Sequence, residues 1–285
     1  MSFLIQITDT HILPPGKVLY DEVDTAHHLR ETVQLINRMR PLPDVVMITG
    51  DLVEQANTIS YEHFIELIEP LQMPTYVLPG NHDDPQLMSE VFASTHHFPV
   101  HGDTYQYAIE DFPFRILALN SHAEGTELPE FDDHRLAWLE QQLKQSDKPV
   151  LIALHHPPMT TGIELIDMGG ADWYQGLKSL LARYDHVKLL ICGHCHTDLC
   201  GQIGRVPVYM AAATAHQLVA TRGLNIAPAT IIAPATPTLH HFIDGGFVSG
   251  SNRWPANISN TRIDKKSGRS WEDLKKSMMG VWMIV

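Results

Sequence analysis

Five short blocks rich in aspartate, histidine and asparagine punctuate this chain, and each directly follows an apolar run. The runs cover residues 3–7, 45–49, 76–78, 150–154 and 189–192, and the blocks are Asp9-Thr-His11, Gly50-Asp51, Gly80-Asn81-His82, His155-His156 and Gly193-His194-Cys-His196. Short runs of Val, Ile and Leu read as buried strands of an α/β protein. In open α/β sheets, ligands bind in the crevice outside the carboxyl ends of the strands. The pattern therefore predicts a single polar site, assembled from strand ends that are distant in sequence.

The strongest ligand candidates are Asp9, His11, Asp51, Asn81, His155, His194 and His196. They offer nitrogen and oxygen but no thiolate. Imidazole with carboxylate suits Mn, Fe, Zn or Co, whereas an all-oxygen cage would suggest Mg or Ca. Seven donors exceed what one tetrahedral ion takes. Shared between two ions about 3.5–4 Å apart, they leave positions open for water and substrate, the arrangement used for in-line displacement at phosphorus.

With their flanks, the blocks read Asp9-x-His11, Gly50-Asp51, Gly80-Asn81-His82-Asp83, His155-His156-Pro157-Pro158 and Gly193-His194-x-His196. In this order and spacing they resemble the calcineurin-like metallophosphoesterase superfamily, and within it the class III cyclic-nucleotide phosphodiesterases and related glycerophosphodiesterases. The resemblance spans residues 3 to about 215. It implies two facing mixed β-sheets flanked by helices, a four-layer α/β/β/α sandwich with a dimetal site at the carboxyl ends of the strands. Asp9, His11 and His196 would hold one divalent ion, Asn81, His155 and His194 the other, and Asp51 would bridge them. His82 would contact the phosphoryl oxygen and help to protonate the leaving alkoxide, and a metal-bridging hydroxide would be the nucleophile.

Departures from other branches refine the expectation. Serine/threonine protein phosphatases carry an Asp-Arg pair shortly after the second block, whose arginine grips a phosphate dianion; here the stretch continues Leu52-Val53-Glu54-Gln55. Without a bidentate guanidinium clamp the pocket offers less to a monoester. Leu-Pro-Gly-Asn-His-Asp and His-His-Pro-Pro are forms typical of small-molecule diesterases, so a small phosphodiester such as cAMP or a glycerophosphodiester is the expected substrate. The alternatives are a phosphomonoesterase or nucleotidase of the same superfamily and a non-catalytic metal- or nucleotide-binding module. Ala56 stands where these relatives often have glycine, which bears on the turn after Asp51.

The net charge of −13 argues against polyanionic partners such as nucleic acid or anionic membranes, although a local metal pocket can still attract one small anion. Residues 1–6 lack a basic region and enter a strand at once, no apolar run approaches the roughly 20 residues of a membrane span, and a cytoplasmic enzyme is expected. Cys192, Cys195 and Cys200 are an odd set without a secretion signal, which disfavours a disulfide framework. Cys192 reads as a buried strand residue and Cys195 as a spectator between ligands. A structural zinc site would need paired-cysteine spacing. His194-Cys-His196-Thr-Asp198 imitates the opening of the metallo-β-lactamase pattern, but Leu199 stands where that pattern has histidine.

The pairs His27-His28, His96-His97 and His240-His241 lack strand-end context and read as surface or capping histidines. Tyr20 and Asp24-Thr25 lie just beyond the first block and are candidates to line the entrance. Helical stripes run through Leu29, Val33, Ile36 and Met39, through Tyr61, Phe64, Ile65, Ile68 and Leu71, and through Leu177, Leu180, Leu181 and Tyr184, with a further helix capped at Asp132-Asp133 that turns Leu136, Leu139 and Leu143 inward. Residues 1–215 are expected to form the catalytic core. In the extension, 216–285, proline-broken residues 226–237 should be loop or edge, 240–248 a strand pair around Gly245-Gly246, and 271–285 a short charged helix with an apolar end. That end would fold back or bury against a second subunit, which makes a homo-oligomer the expected assembly.

Overall fold

The structure, a computed structural model, describes residues 2–219, 230–231, 237–251, 268 and 270–280. The chain divides into two compact units, Met1–Arg253 and Trp254–Val285. Two mixed sheets and five helices of the first unit position the site.

One sheet contains β1 (Ser2–Ile7), β2 (Val45–Thr49), β3 (Thr75–Leu78), β12 (Thr238–Ile243) and β13 (Gly246–Ser251), in the order β13-β12-β1-β2-β3. The other contains β4 (Tyr107–Ile109), β5 (Arg115–Ala118), β6 (Val150–Ala153), β7 (Val187–Cys192), β8 (Leu199–Ile203) and β9 (Val206–Met210), in the order β4-β5-β6-β7-β9-β8. A small ribbon pairs β10 (Gln217–Leu218) with β11 (Thr230–Ile231). The strands ahead of the five blocks run parallel to their neighbours, β1 with β2 with β3 and β6 with β7, whereas β12, β13, β4 and β8 join antiparallel. Parallel pairing aligns carboxyl ends, which is why the blocks meet.

The helices are α1 (Thr25–Arg38), α2 (Thr58–Ile68), α3 (Pro85–Val91), α4 (Asp133–Lys144) and α5 (Gln175–Leu181). Asp24, Asn57, Asp84 and Asp132 each accept a backbone N–H of the first turn, fixing where α1 to α4 begin. Successive strand residues point to opposite faces, and the core separates accordingly. Leu151, Ala153, Leu189 and Ile191 share a cluster with β1, β2, α1 and α2, whereas Val150, Ile152, Leu190 and Cys192 pack with α4 and α5. The central strands β1, β2, β6 and β7 are thereby covered on both faces, in the four layers α/β/β/α, whereas β13 at the sheet edge leaves Val248 exposed.

The predicted helical stripes are buried or packed against these clusters. The strand pair around Gly245-Gly246 is β12 and β13. One histidine differs from expectation. His240 is fully buried, its Nε2 2.9 Å from Gln6 Oε1 and its Nδ1 2.8 Å from Ser249 Oγ, because β12 lies beside β1 inside the sandwich. Most of 226–237 and the apolar end 281–285 lie outside the described residues. In the second unit, α6 (Trp271–Gly280) starts at Ser270, whose Oγ accepts the Asp273 N–H. Among the described residues no helix is long and apolar enough to cross a membrane.

Candidate metal centre and active site

Each block leaves its strand through a sharp turn. Asp9, His11, Asp51, His194 and His196 adopt φ between 44° and 68°, the left-handed region that costs a non-glycine residue about 1–3 kcal/mol. Backbone bonds hold these turns together: Asp9 N–H donates to Gly50 O, His11 N–H to Asp51 O and Gly193 N–H to His155 O, each at 3.0 Å. Two glycines permit the approach. A Cβ at Gly193 would meet Thr8 Oγ1 at 2.1 Å and Asp9 Oδ2 at 2.7 Å, and one at Gly80 would meet Asp51 Oδ1 at 2.1 Å.

All seven sequence candidates come together. His196 Nε2 lies 3.3 Å from Asp9 Oδ1, His155 Nε2 3.4 Å from Asp51 Oδ2 and 3.0 Å from Asn81 Oδ1, and His11 Nε2 3.7 Å from Asp51 Oδ2. The His194 N–H donates to both carboxylate oxygens of Asp9 at 3.1 Å, and its ring stands 5.1 Å from that of His155. Asp9, His11, Asp51 and His196 form one group of donor atoms able to hold an ion, and His155, His156 and His194 form another. His156 was not among the sequence candidates; its Nδ1 is 2.8 Å from Ser121 Oγ. No cysteine belongs to such a group among the described residues, and the three thiols are free.

The tautomers test whether cations fit. His11 Nδ1–H donates to the Glu54 carboxylate at 2.8 Å, His196 Nδ1–H to His216 O at 2.9 Å and His155 Nδ1–H to Thr49 O at 2.8 Å, acceptors that allow the ring no other role. Each ring then turns Nε2 inward, and in its neutral form presents a ligand lone pair there. The His11 and His196 Nε2 atoms face each other at 3.1 Å, and His155 Nε2 faces the Asn81 oxygen. Nitrogens opposed at this distance need a proton or a cation between them, and a donor set of imidazole with carboxylate fits divalent ions.

The electrostatics agree. Burial works against the charged forms of Asp9 and Asp51, yet the neighbouring His196 and His155 hold both carboxyls below their ordinary value, Asp9 at about 2. Burial also opposes a charged ring at His155, but Asp51 draws it up to about 9, while His194 is pushed down to about 3 by burial and the charge of His155. The carboxylates demand positive charge that the buried imidazoles supply unequally.

His82 stands at the edge of this cluster, its N–H donating to Asp51 Oδ1 at 3.0 Å and its Nδ1–H to Glu54 O at 2.9 Å. Burial would depress its proton affinity; Asp51 and Glu54 raise it. A cavity of about 490 Å³ opens over Asp51, Asn81, His82, His194 and His196, walled on one side by Leu128, Pro129, Leu165 and Met168. Tyr20 lines it as expected. Asp24 and Thr25 do not, being the cap and first residue of α1. Two lining or supporting residues were invisible in sequence. His216, buried with its ring 4.5 Å from that of His196, follows an alanine-rich stretch with no recognisable spacing, and Glu54 gave no signal beyond the absence of an arginine.

A profile of the calcineurin-like phosphoesterase family matches residues 4–198. The chain is 34% identical over 243 residues to the "Probable glycerophosphodiester phosphodiesterase GpdQ" of Arcobacter nitrofigilis, covering 85% of this chain and 89% of that one. It is 30% identical over 201 residues to the "3',5'-cyclic adenosine monophosphate phosphodiesterase CpdA" of Escherichia coli, covering 69% and 70%. Among solved structures, a dimetal phosphatase from Danio rerio aligns over 81% of this chain and 98% of its own with a TM-score of 0.59 at 15% identity, a likeness of fold.

Proposed function

This chain belongs to the calcineurin-like phosphoesterase family, and on that premise we propose that it is a metal-dependent phosphodiesterase acting on a small diester, a cyclic nucleotide or a glycerophosphodiester. The observation that carries the reading is the set of Nε2 atoms of His11, His155 and His196 turned inward around two buried carboxylates, each ring held from behind through Nδ1. Asp9, His11 and His196 would hold one divalent ion, Asn81, His155 and His194 a second, and Asp51 would serve both, a role supported by its lying within 3.7 Å of both His11 and His155. Such ions, Mn, Fe, Zn or Co by donor type, would activate water and neutralise the phosphoryl oxygens.

The rest is the chain's own work. His82, its Nδ1–H committed to Glu54 O, keeps Nε2 to hold the proton that a departing alkoxide needs. No lysine or arginine lines the cavity among the described residues, so nothing there grips a monoester dianion as a guanidinium would. That favours a diester monoanion over the phosphomonoesterase alternative, and the placement of His82 favours turnover over mere binding. Residues 1–215 would form the catalytic core and 216–285 an extension. In its support, β12 and β13 enlarge the first sheet, and His216 and Leu218 line the cavity. The apolar stretch 281–285 is the ground for a homo-oligomer, and three free thiols suit a cytoplasmic setting.

The test is an assay of metal-stripped protein reloaded with Mn²⁺ on bis(p-nitrophenyl) phosphate beside p-nitrophenyl phosphate, with cAMP and glycerophosphocholine in parallel. Metal-dependent diester cleavage well above monoester cleavage is expected. Faster monoester cleavage would replace the reading with a phosphatase, and no turnover with any metal would end it.

A further inference from the structure

Beyond their last strand residues, β1 and β2 continue as a short ladder. His11 N–H donates to Asp51 O, Ile12 N–H to Leu52 O and Glu54 N–H to Ile12 O, with Val53 paired parallel to Ile12. Leu52 and Val53 are fully buried, so this register is firm. It sets the Glu54 carboxylate 2.8 Å from His11 Nδ1, while the Glu54 carbonyl holds His82.

The supports of the three inward histidines differ. His155 and His196 lean on backbone carbonyls, which no side-chain change removes; His11 leans on a carboxylate. A carboxylate only accepts, so it forces the proton onto Nδ1, holds the ring plane and adds negative charge behind the ligand atom, each of which strengthens a metal–imidazole bond. With a side chain 20% exposed, Glu54 is sheltered enough for that charge to be felt.

We propose that Glu54 is a positioning residue that sets the affinity of one metal position, the one formed by Asp9, His11 and His196, without touching the other. This rests on the dimetal reading above. Of the seven candidate ligands, the Glu54 carboxylate is hydrogen-bonded to His11. Loss of the Glu54 carboxylate would leave in place the Thr49 carbonyl behind His155, the contact between His155 and Asn81 and the bond of the His194 N–H to Asp9, none of which it makes.

The experiment is calorimetric titration of chelator-stripped full-length protein with Mn²⁺ for the wild type, Glu54→Ala and Glu54→Gln, with thermal melts of the metal-free proteins. Glu54→Ala should weaken one of two sites by about 10–100-fold with the other unchanged, as for other outer partners of metal-bound histidines. Glu54→Gln keeps an acceptor oxygen and the side-chain volume, so it should lose less. Two sites of wild-type affinity in both variants would overturn the proposal, as would equal weakening of both sites with a lowered metal-free melting temperature, the mark of a merely structural role. A wild type that takes up no pair of ions would sink the parent reading and this one with it; failure confined to Glu54 is distinguishable because the wild type still binds two.

Discussion

A poor leaving group cannot depart as a bare alkoxide, whereas p-nitrophenolate can, and this contrast isolates His82 from the residues around it. Its ring sits 4.8 Å from that of His11, so replacing it also risks disturbing the cluster, and a simple loss of activity would be ambiguous. If His82 donates a proton, His82→Ala should lower kcat on glycerophosphocholine by about 10²–10⁴-fold while costing much less on bis(p-nitrophenyl) phosphate, with metal content unchanged. Equal losses on the two diesters would remove the acid role. The same residue shows how far sequence reaches at this scale. Asn81, His82 and the histidine blocks were legible because they follow strands and their side chains have distinctive chemistry. Glu54 and His216 were not, because an exposed-looking glutamate and a histidine after alanines carry no signal until the ladder at 51–54 and the contact with His196 place them.

Between elements, the seam joining the two sheets contains polar groups as well as hydrocarbon. Gln6 of β1 donates from Nε2 to Thr49 Oγ1 and to Cys192 O of β7, both at 2.8 Å, and its Oε1 accepts from His240 Nε2 on β12. The His240 ring meets Tyr209 of β9 edge-on at 5.5 Å. His240 holds this seam as a buried neutral ring, and burial pushes its pKa from 6.5 down to about 3. An unfolded chain protonates that ring below its ordinary pKa while the folded chain does not. Stability from this residue is thus complete above pH 6.5 and is lost as pH falls from 6.5 toward 3. By pH 4.5 the loss should reach roughly 3 kcal/mol. Urea midpoints of metal-free protein from pH 7 to pH 4.5 would show it, and His240→Gln should have the shallower pH slope. Parallel slopes would refute the account. The expectation of a surface histidine failed here because the residue pair 240–241 shows its burial only when β12 is laid beside β1.

For the molecule as a whole, the site is a burden on the fold that metal should relieve. Asp9 and Asp51 are at most 2% exposed, five site residues hold left-handed backbone, and the chain carries a net charge of −13. An ion bound only by the folded state stabilises it by mass action, about 2.7 kcal/mol at 100 times Kd. Chelation should therefore lower the melting temperature and Mn²⁺ should restore it, in a concentration-dependent way; a melting temperature indifferent to metal would contradict the site. What the sequence by itself determined is the local part. Apolar runs made strands, apolar stripes made α1, α2, α4 and α5, and the polar blocks at strand ends announced which residues would meet and what ions their donors suit, because hydrophobic periodicity and donor chemistry are properties of neighbouring residues. Only the tertiary structure decided which ring nitrogen of each histidine faces inward, that Glu54 and His216 support the cluster, that His240 is core, and that an apolar wall from 128–129 and 165–168 flanks the cavity. Those features are relations between segments up to 234 residues apart, as with Gln6 and His240, and such distances acquire meaning only when the sheets close on each other.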